Sequence, residues 1–316
     1  MEDTGDGQEG EVLDLGSPPS VAAVAAALEA DGYLLDDGLA TVVFLALTLR
    51  RPLLLEGEAG VGKTEVARAL ARVGGARLLR LQCHEGIDAT QAVYEWDYAR
   101  QLLHLRSAEA AGELTGRGAD AVEAELYDER FLIRRPLLEA VSAPVGSRPP
   151  VLLVDEVDRA DDDFDALVLE VLADHAVTIP EIGTIEAVVP PVVVLTSNRT
   201  RDVHDALKRR CLYHWVEHPE FEREVAIVRG RVPQVSEATA RAVAGVVERF
   251  RELGLYKPPG VAESIDWAQS LTVLGAEGLT AGLASSTLGA VLKYREDEER
   301  VRRAGLEEIL ATARTA

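Results

Sequence analysis

The segment LLLEGEAGVGKT, Leu53 to Thr64, limits what this chain can fold into more than any other. Three consecutive leucines read as a strand buried on both sides, and GEAGVGKT, 57 to 64, matches G-x-x-x-x-G-K-[ST] directly after it. Val66, Ala67, Leu70 and Val73 then repeat at helical spacing and stop at Gly74-Gly75. A strand, a glycine loop and a helix in that order form the first half of a parallel βα unit. Glycines let backbone N–H groups turn inward, the helix N-terminus adds positive potential, and both favour an anionic phosphate chain. The expected cradle is Gly57, Glu58, Ala59, Gly60, Val61, Gly62, Lys63, Thr64 and Glu65, with Lys63 as a point charge near the β and γ oxygens of ATP and Thr64 placed to hold Mg²⁺.

Four more apolar runs follow, LLRLQC at 78–83, VLLVDE at 151–156, VVVLTSN at 192–198 and LYHWV at 212–216. Apolar on consecutive positions and separated by helical patterns, they predict an α/β fold, a parallel sheet flanked by helices. After Pro219 the strand signals cease, and Val243, Val246, Val247 and Phe250 mark an amphipathic helix. The expected organisation is a solvated acidic tail over 1–17, a nucleotide-binding core over 18–218 and a smaller all-α domain over 219–316. The tail expectation rests on six acids, four glycines and no base in those residues.

A net charge of −21 repels a phosphate backbone, so bulk nucleic-acid binding is disfavoured. The acidic N-terminus lacks the features of a secretory signal, and the longest largely apolar stretch, Leu39 to Leu49, spans 11 residues, too few for a membrane helix. Two cysteines outside any metal spacing suit a reducing cytoplasm. Of the scattered histidines only His214 and His218 have ligand spacing, and they straddle a strand end.

VLLVDEVD, 151–158, delivers Asp155 and Glu156 to the C-terminal end of a strand, where ligands of parallel sheets collect. Asp155 would hold Mg²⁺ through water and Glu156 would orient or deprotonate the attacking water. Asn198 ends the next strand and could touch that water or the γ-phosphate. In DALKRRC, 205–211, Arg209 and Arg210 close a short helix before the last strand. Arg210 is the candidate for the γ-phosphate of a neighbouring subunit, and Arg159 a weaker one.

GEAGVGKT, LLVDEVDRA, LTSN and ALKRRC, followed by a helical domain, together resemble the AAA+ ATPases. LATVVFLAL, LQCHEGIDATQAVYEWDYARQLL and VTIPEIGTIEAVVPPVVVLTSNRT resemble the MoxR branch, and RRCLYHWVEHPEFEREVAIV is similar to its CoxD-like members. The resemblance covers roughly residues 20–275. It implies a homo-oligomeric ring, usually hexameric, with Arg210 facing a neighbour's nucleotide. It also implies a partner with a von Willebrand factor A domain, and a chaperone role toward a client metalloenzyme such as a carbon monoxide dehydrogenase. Residues 177–189 would form an inserted β-hairpin about Gly183. Where many relatives carry a lid arginine, GVAESIDWA at 260–268 has Glu263 and none. Tyr94, Trp96 and Tyr98 alternate either as a half-buried strand or as a loop gripping a client in the ring pore. A nucleotide-gated scaffold, a nucleic-acid motor and a small-molecule kinase are the competing functions.

Overall fold

A computed structural model describes residues 12–113, 117–276 and 278–313. Helices α1 (Val21–Ala30) and α2 (Asp37–Leu49) precede β1 (Leu53–Gly57), α3 (Lys63–Val73) and β2 (Leu78–Gln82). An excursion follows through α4 (Ala89–Ala92), β3 (Tyr94–Trp96), α5 (Tyr98–Ala110), α6 (Ala119–Leu126), β4 (Leu132–Arg134) and α7 (Pro136–Val141). The chain then runs through β5 (Val151–Asp155), α8 (Asp162–Asp174), β6 (Ala176–Ile179), β7 (Gly183–Glu186), β8 (Val192–Ser197), α9 (Asp205–Arg210) and β9 (Leu212–Val216). Helices α10 (Phe221–Arg231), α11 (Glu237–Glu252), α12 (Val261–Val273), α13 (Ala281–Val291), α14 (Arg295–Ala304) and α15 (Leu306–Ala313) complete it.

The central sheet is five-stranded, in the order β2-β5-β8-β1-β9, and every neighbouring pair is parallel. Its apolar runs divide between two cores by strand alternation. Leu53, Leu55, Leu153 and Val194 face Val24, Leu28, Val66 and Leu70 of α1 and α3, whereas Leu54, Leu152, Val154 and Leu195 face Leu138, Phe164 and Val168 of α7 and α8. Burial on both faces is why β1 and β5 are apolar without alternation. The parallel order brings the C-terminal ends of β1, β5 and β8 to one edge, and that edge carries the site.

The expectation of a solvated tail through residue 17 needs correction from Val12 onward, residues 1–11 lying outside the described residues. Leu13 and Leu15 are buried in the core beside α1 and α3, and the Leu13 N–H donates to the Val73 carbonyl at 2.9 Å. Two leucines spaced to enter one apolar groove outweigh the acidic composition around them.

The hairpin of 177–189 forms as antiparallel β6 and β7, with Gly183 opposite Ile179 at the start of the second arm. Of the alternating aromatics, Tyr94 and Trp96 lie on β3, paired with β4. Trp96 is buried edge-on against Tyr127 at 5.2 Å, while Tyr98 is exposed at the start of α5.

The helices after Pro219 have cores of their own. Val243, Val246, Val247 and Phe250 are all buried on α11, and the Phe250 ring stacks on Trp267 at 6.1 Å. Glu224 of α10 is buried and gripped by both terminal nitrogens of the Arg251 guanidinium at 2.7 and 2.9 Å, with Ser264 Oγ donating at 2.5 Å. One carboxylate thereby pins α10, α11 and α12 together.

Candidate nucleotide site

The loop between β1 and α3 needs glycine where the backbone turns left-handed, at Gly60 (φ 80°) and Gly62 (φ 96°). Gly62 occupies the N-cap of α3 with no capping side chain, so no side chain competes with an anion for the N–H groups that open the helix. Lys63 folds back over the loop, its Nζ donating to the carbonyls of Gly57 at 2.8 Å and Glu58 at 2.6 Å. Burial pushes its ammonium down to about 8, against the opposing pull of Asp158, Asp155, Glu156 and Glu58.

Asp155 closes β5 and is 3% exposed. Its Oδ1 accepts from Thr64 Oγ1 at 2.9 Å and Thr196 Oγ1 at 2.6 Å, and its Oδ2 accepts from Arg80 Nη2 at 2.6 Å. Glu156 takes left-handed backbone angles (φ 55°), which re-aims the chain so that two successive carboxylates serve one edge. Its N–H is held by Thr196 Oγ1 at 2.9 Å. Its carboxylate accepts from Asn198 Nδ2 at 3.2 Å and Gln82 Nε2 at 3.1 Å, and Arg159 Nε lies 3.2 Å away. Buried Asp158 accepts the N–H groups of Asn198 at 3.1 Å and Thr200 at 2.8 Å, which fixes the turn that aims the Asn198 amide.

These groups border a cavity of about 520 Å³, the size of an ordinary small-molecule site. Its lining combines the largely apolar side chains of Tyr33, Leu34, Ile227, Val261 and Ile265 with the polar groups of residues 59–65, Asp155, Glu156 and Asn198. Such a mixture suits a nucleoside polyphosphate. The hydroxyl of Thr64 and the carboxylate of Asp155 are hard oxygen donors side by side, a set that fits Mg²⁺.

The structure brings Lys63, Thr64, Asp155, Glu156, Asn198 and Ala59 to Glu65 together at this cavity, with Gly57 and Glu58 behind it as carbonyl partners of Lys63. Arg209 and Arg210 are not among its lining. Both are exposed at the end of α9, whose carbonyls at 209, 210 and 211 are held by the Arg51 guanidinium at 2.9–3.2 Å. Arg159 engages Glu156 of its own chain. The histidine pair forms no metal site among the described residues, His218 Nε2 lying 3.1 Å from Glu58 Oε2. Four participants were missed in the sequence: Arg80, Gln82, Thr196 and Arg231. Arg80 and Gln82 become relevant only once β2 is known to lie beside β5; Thr196, two residues before Asn198 in a buried strand, carries the one readable signal, a hydroxyl where an aliphatic residue is expected.

A parallel sheet in this order, a glycine loop with its lysine, and paired carboxylates at the end of β5 define an AAA+ type nucleotide-hydrolysing domain. The chain belongs to the AAA domain family of the dynein-related subfamily, whose family model matches residues 52–211. Among solved structures it is similar to the RuvB Holliday junction branch migration motor of Thermotoga maritima. The identity is 14%, over 90% of this chain and 75% of that one, with a TM-score of 0.44. A mutant of the same motor matches at 15% identity over 92% and 75%, with a TM-score of 0.45. Among the described residues no helix is long and apolar enough to cross a membrane.

Proposed function

We propose that this protein is a Mg²⁺-dependent ATPase working in an oligomeric ring, a MoxR-type chaperone that turns hydrolysis into remodelling of a client protein. The observation that carries the reading is Glu156. A carboxylate set on a strained backbone and tethered from two other strand ends, by Gln82 and Asn198, is more than a binding cavity requires. In the cycle, Lys63 exchanges its two loop carbonyls for phosphate oxygens. Thr64 and Asp155 would hold Mg²⁺, which when bound would supply neutralisation of phosphate charge. Glu156 takes the proton of the attacking water and Asn198 keeps that water in line. Arg210, exposed and on a helix end anchored by Arg51, is free to serve a neighbour's site. A ring of six, a von Willebrand factor A domain partner, a metalloenzyme client and a cytoplasmic setting are the finer parts of this reading. They are supported by the MoxR-like and CoxD-like segments.

The test is steady-state ATP hydrolysis per subunit across a wide range of protein concentration. Specific activity should rise and plateau as chains assemble. Glu156→Gln should bind ATP with turnover lowered about 10²–10⁴-fold, and Arg210→Ala should lose about 10³-fold or more while remaining folded. Activity flat from a verified monomer upward removes the ring mechanism. Normal turnover by Glu156→Gln removes the chemistry assigned to that carboxylate.

A further inference from the structure

The helical region contributes Ile227, Arg231, Val261, Ala262 and Ile265 to the cavity, and Arg231 is the cation among them. It stands on the last turn of α10, one turn beyond Ile227, with its Nη2 2.7 Å from Glu65 Oε1. Glu65 does not depend on it, because Arg72 donates to the same oxygen at 2.8 Å. Where α12 meets the phosphate loop there is a carboxylate in place of a cation. Glu263 accepts the Gly260 N–H at 2.9 Å, and a Cβ added to Gly60 would lie 2.9 Å from that carboxylate. Of the two lid helices at the cavity, only α10 offers positive charge to a phosphate chain.

We propose that Arg231 is the contact from α10 to the phosphates of bound nucleotide, exchanging Glu65 for them. This rests on the nucleotide-binding part of the function proposed above. The exchange is physically easy. The Arg231 side chain is 40% exposed, so solvent screens its pair with Glu65, and Arg72 remains on that carboxylate when Arg231 leaves. A guanidinium facing phosphate oxygens can instead make two parallel charge-assisted bonds.

The test is calorimetric titration of the full chain with Mg·ADP, for the wild type, Arg231→Ala, Arg231→Lys, Glu65→Gln and the Glu65→Gln/Arg231→Ala double variant. Arg231→Ala should weaken ADP at least tenfold, less so at high salt, and Arg231→Lys should recover part of the loss. The decisive comparison is within Glu65→Gln: removing Arg231 there should still weaken ADP tenfold, since its target is the ligand. A loss that vanishes once Glu65 is neutralised makes Arg231 a mere tie between lid and core and overturns the proposal. So does an unchanged affinity in a variant whose thermal unfolding matches the wild type. A wild type that binds no ADP defeats the nucleotide reading itself, a separate outcome.

Discussion

Burial holds the Lys63 ammonium at about 8, well under the ordinary lysine range, although it donates to two carbonyls. Phosphate oxygens replacing neutral carbonyls would raise it again, because an opposite charge favours the protonated form. The sign follows. Between the values without and with phosphate, binding must take up a proton. Mg·ADP titrated near pH 8.5, in buffers of different ionisation enthalpy, should therefore show net proton uptake, and affinity should fall as pH rises through 8 and beyond, by no more than tenfold per unit. Lys63→Ala should abolish that uptake. Proton release or none in the wild type would contradict the assignment. Lys63 was legible in the sequence, as were Thr64, Asp155, Glu156 and Asn198, because each stands in a contiguous motif whose chemistry is local. Arg80 and Gln82 were not, because what they touch is decided by strand order, and Arg231 was not, because nothing near α10 says that its last turn overlooks the phosphate loop.

At the scale of elements, burial on both faces made the five strands of the central sheet readable, since an apolar run between helical patterns has few other uses. The short β3 and β4 were harder. They pair antiparallel across α5 and α6, and three residues each give periodicity little to act on. Leu13 and Leu15 escaped for a different reason: composition averaged over 17 residues conceals two side chains that find a groove. The organisation of α10, α11 and α12 hangs on a polar feature that no apolar period reveals, the Glu224 carboxylate shared by Arg251 and Ser264. Removing one partner of a buried pair leaves an uncompensated charge, which costs about 3–5 kcal/mol. Arg251→Ala should thus lower stability by that amount, seen as an early urea transition reported by Trp267. Replacing Glu224 and Arg251 together by apolar residues of similar size should be far milder. Equal losses from the single and double changes would mean that packing, and not charge, is what the site provides.

For the whole molecule, the charge balance and the site make opposite demands. A chain of net charge −21 must accept a polyanion, and it does so by bringing Lys63, Arg68, Arg80 and Arg231 to one cavity, where they outnumber the acids Glu65, Asp155 and Glu156 that share its lining. Those cations belong to two separately cored units. Lys63, Arg68 and Arg80 ride on the sheet and α3, Arg231 on α10. Direct joints between the units at this edge include the close approach of Gly60 to Gly260, a backbone bond from Ala262 to the Gly60 carbonyl at 3.3 Å, and the ion pairs of Arg231 with Glu65 and of Arg223 with Asp36 at 3.8 Å. A ligand that touches both units adds to that coupling. It binds only the closed native arrangement, and at 100 times its Kd it stabilises that state by about 2.7 kcal/mol. Amide hydrogen exchange should show this as a redistribution. Without nucleotide, α11–α13 should open more readily than α3 and β5; with saturating Mg·ADP, protection should rise in both units and their opening energies should converge. Protection that rises around α3 and β5 alone would mean that the lid helices border the cavity without sharing in the binding.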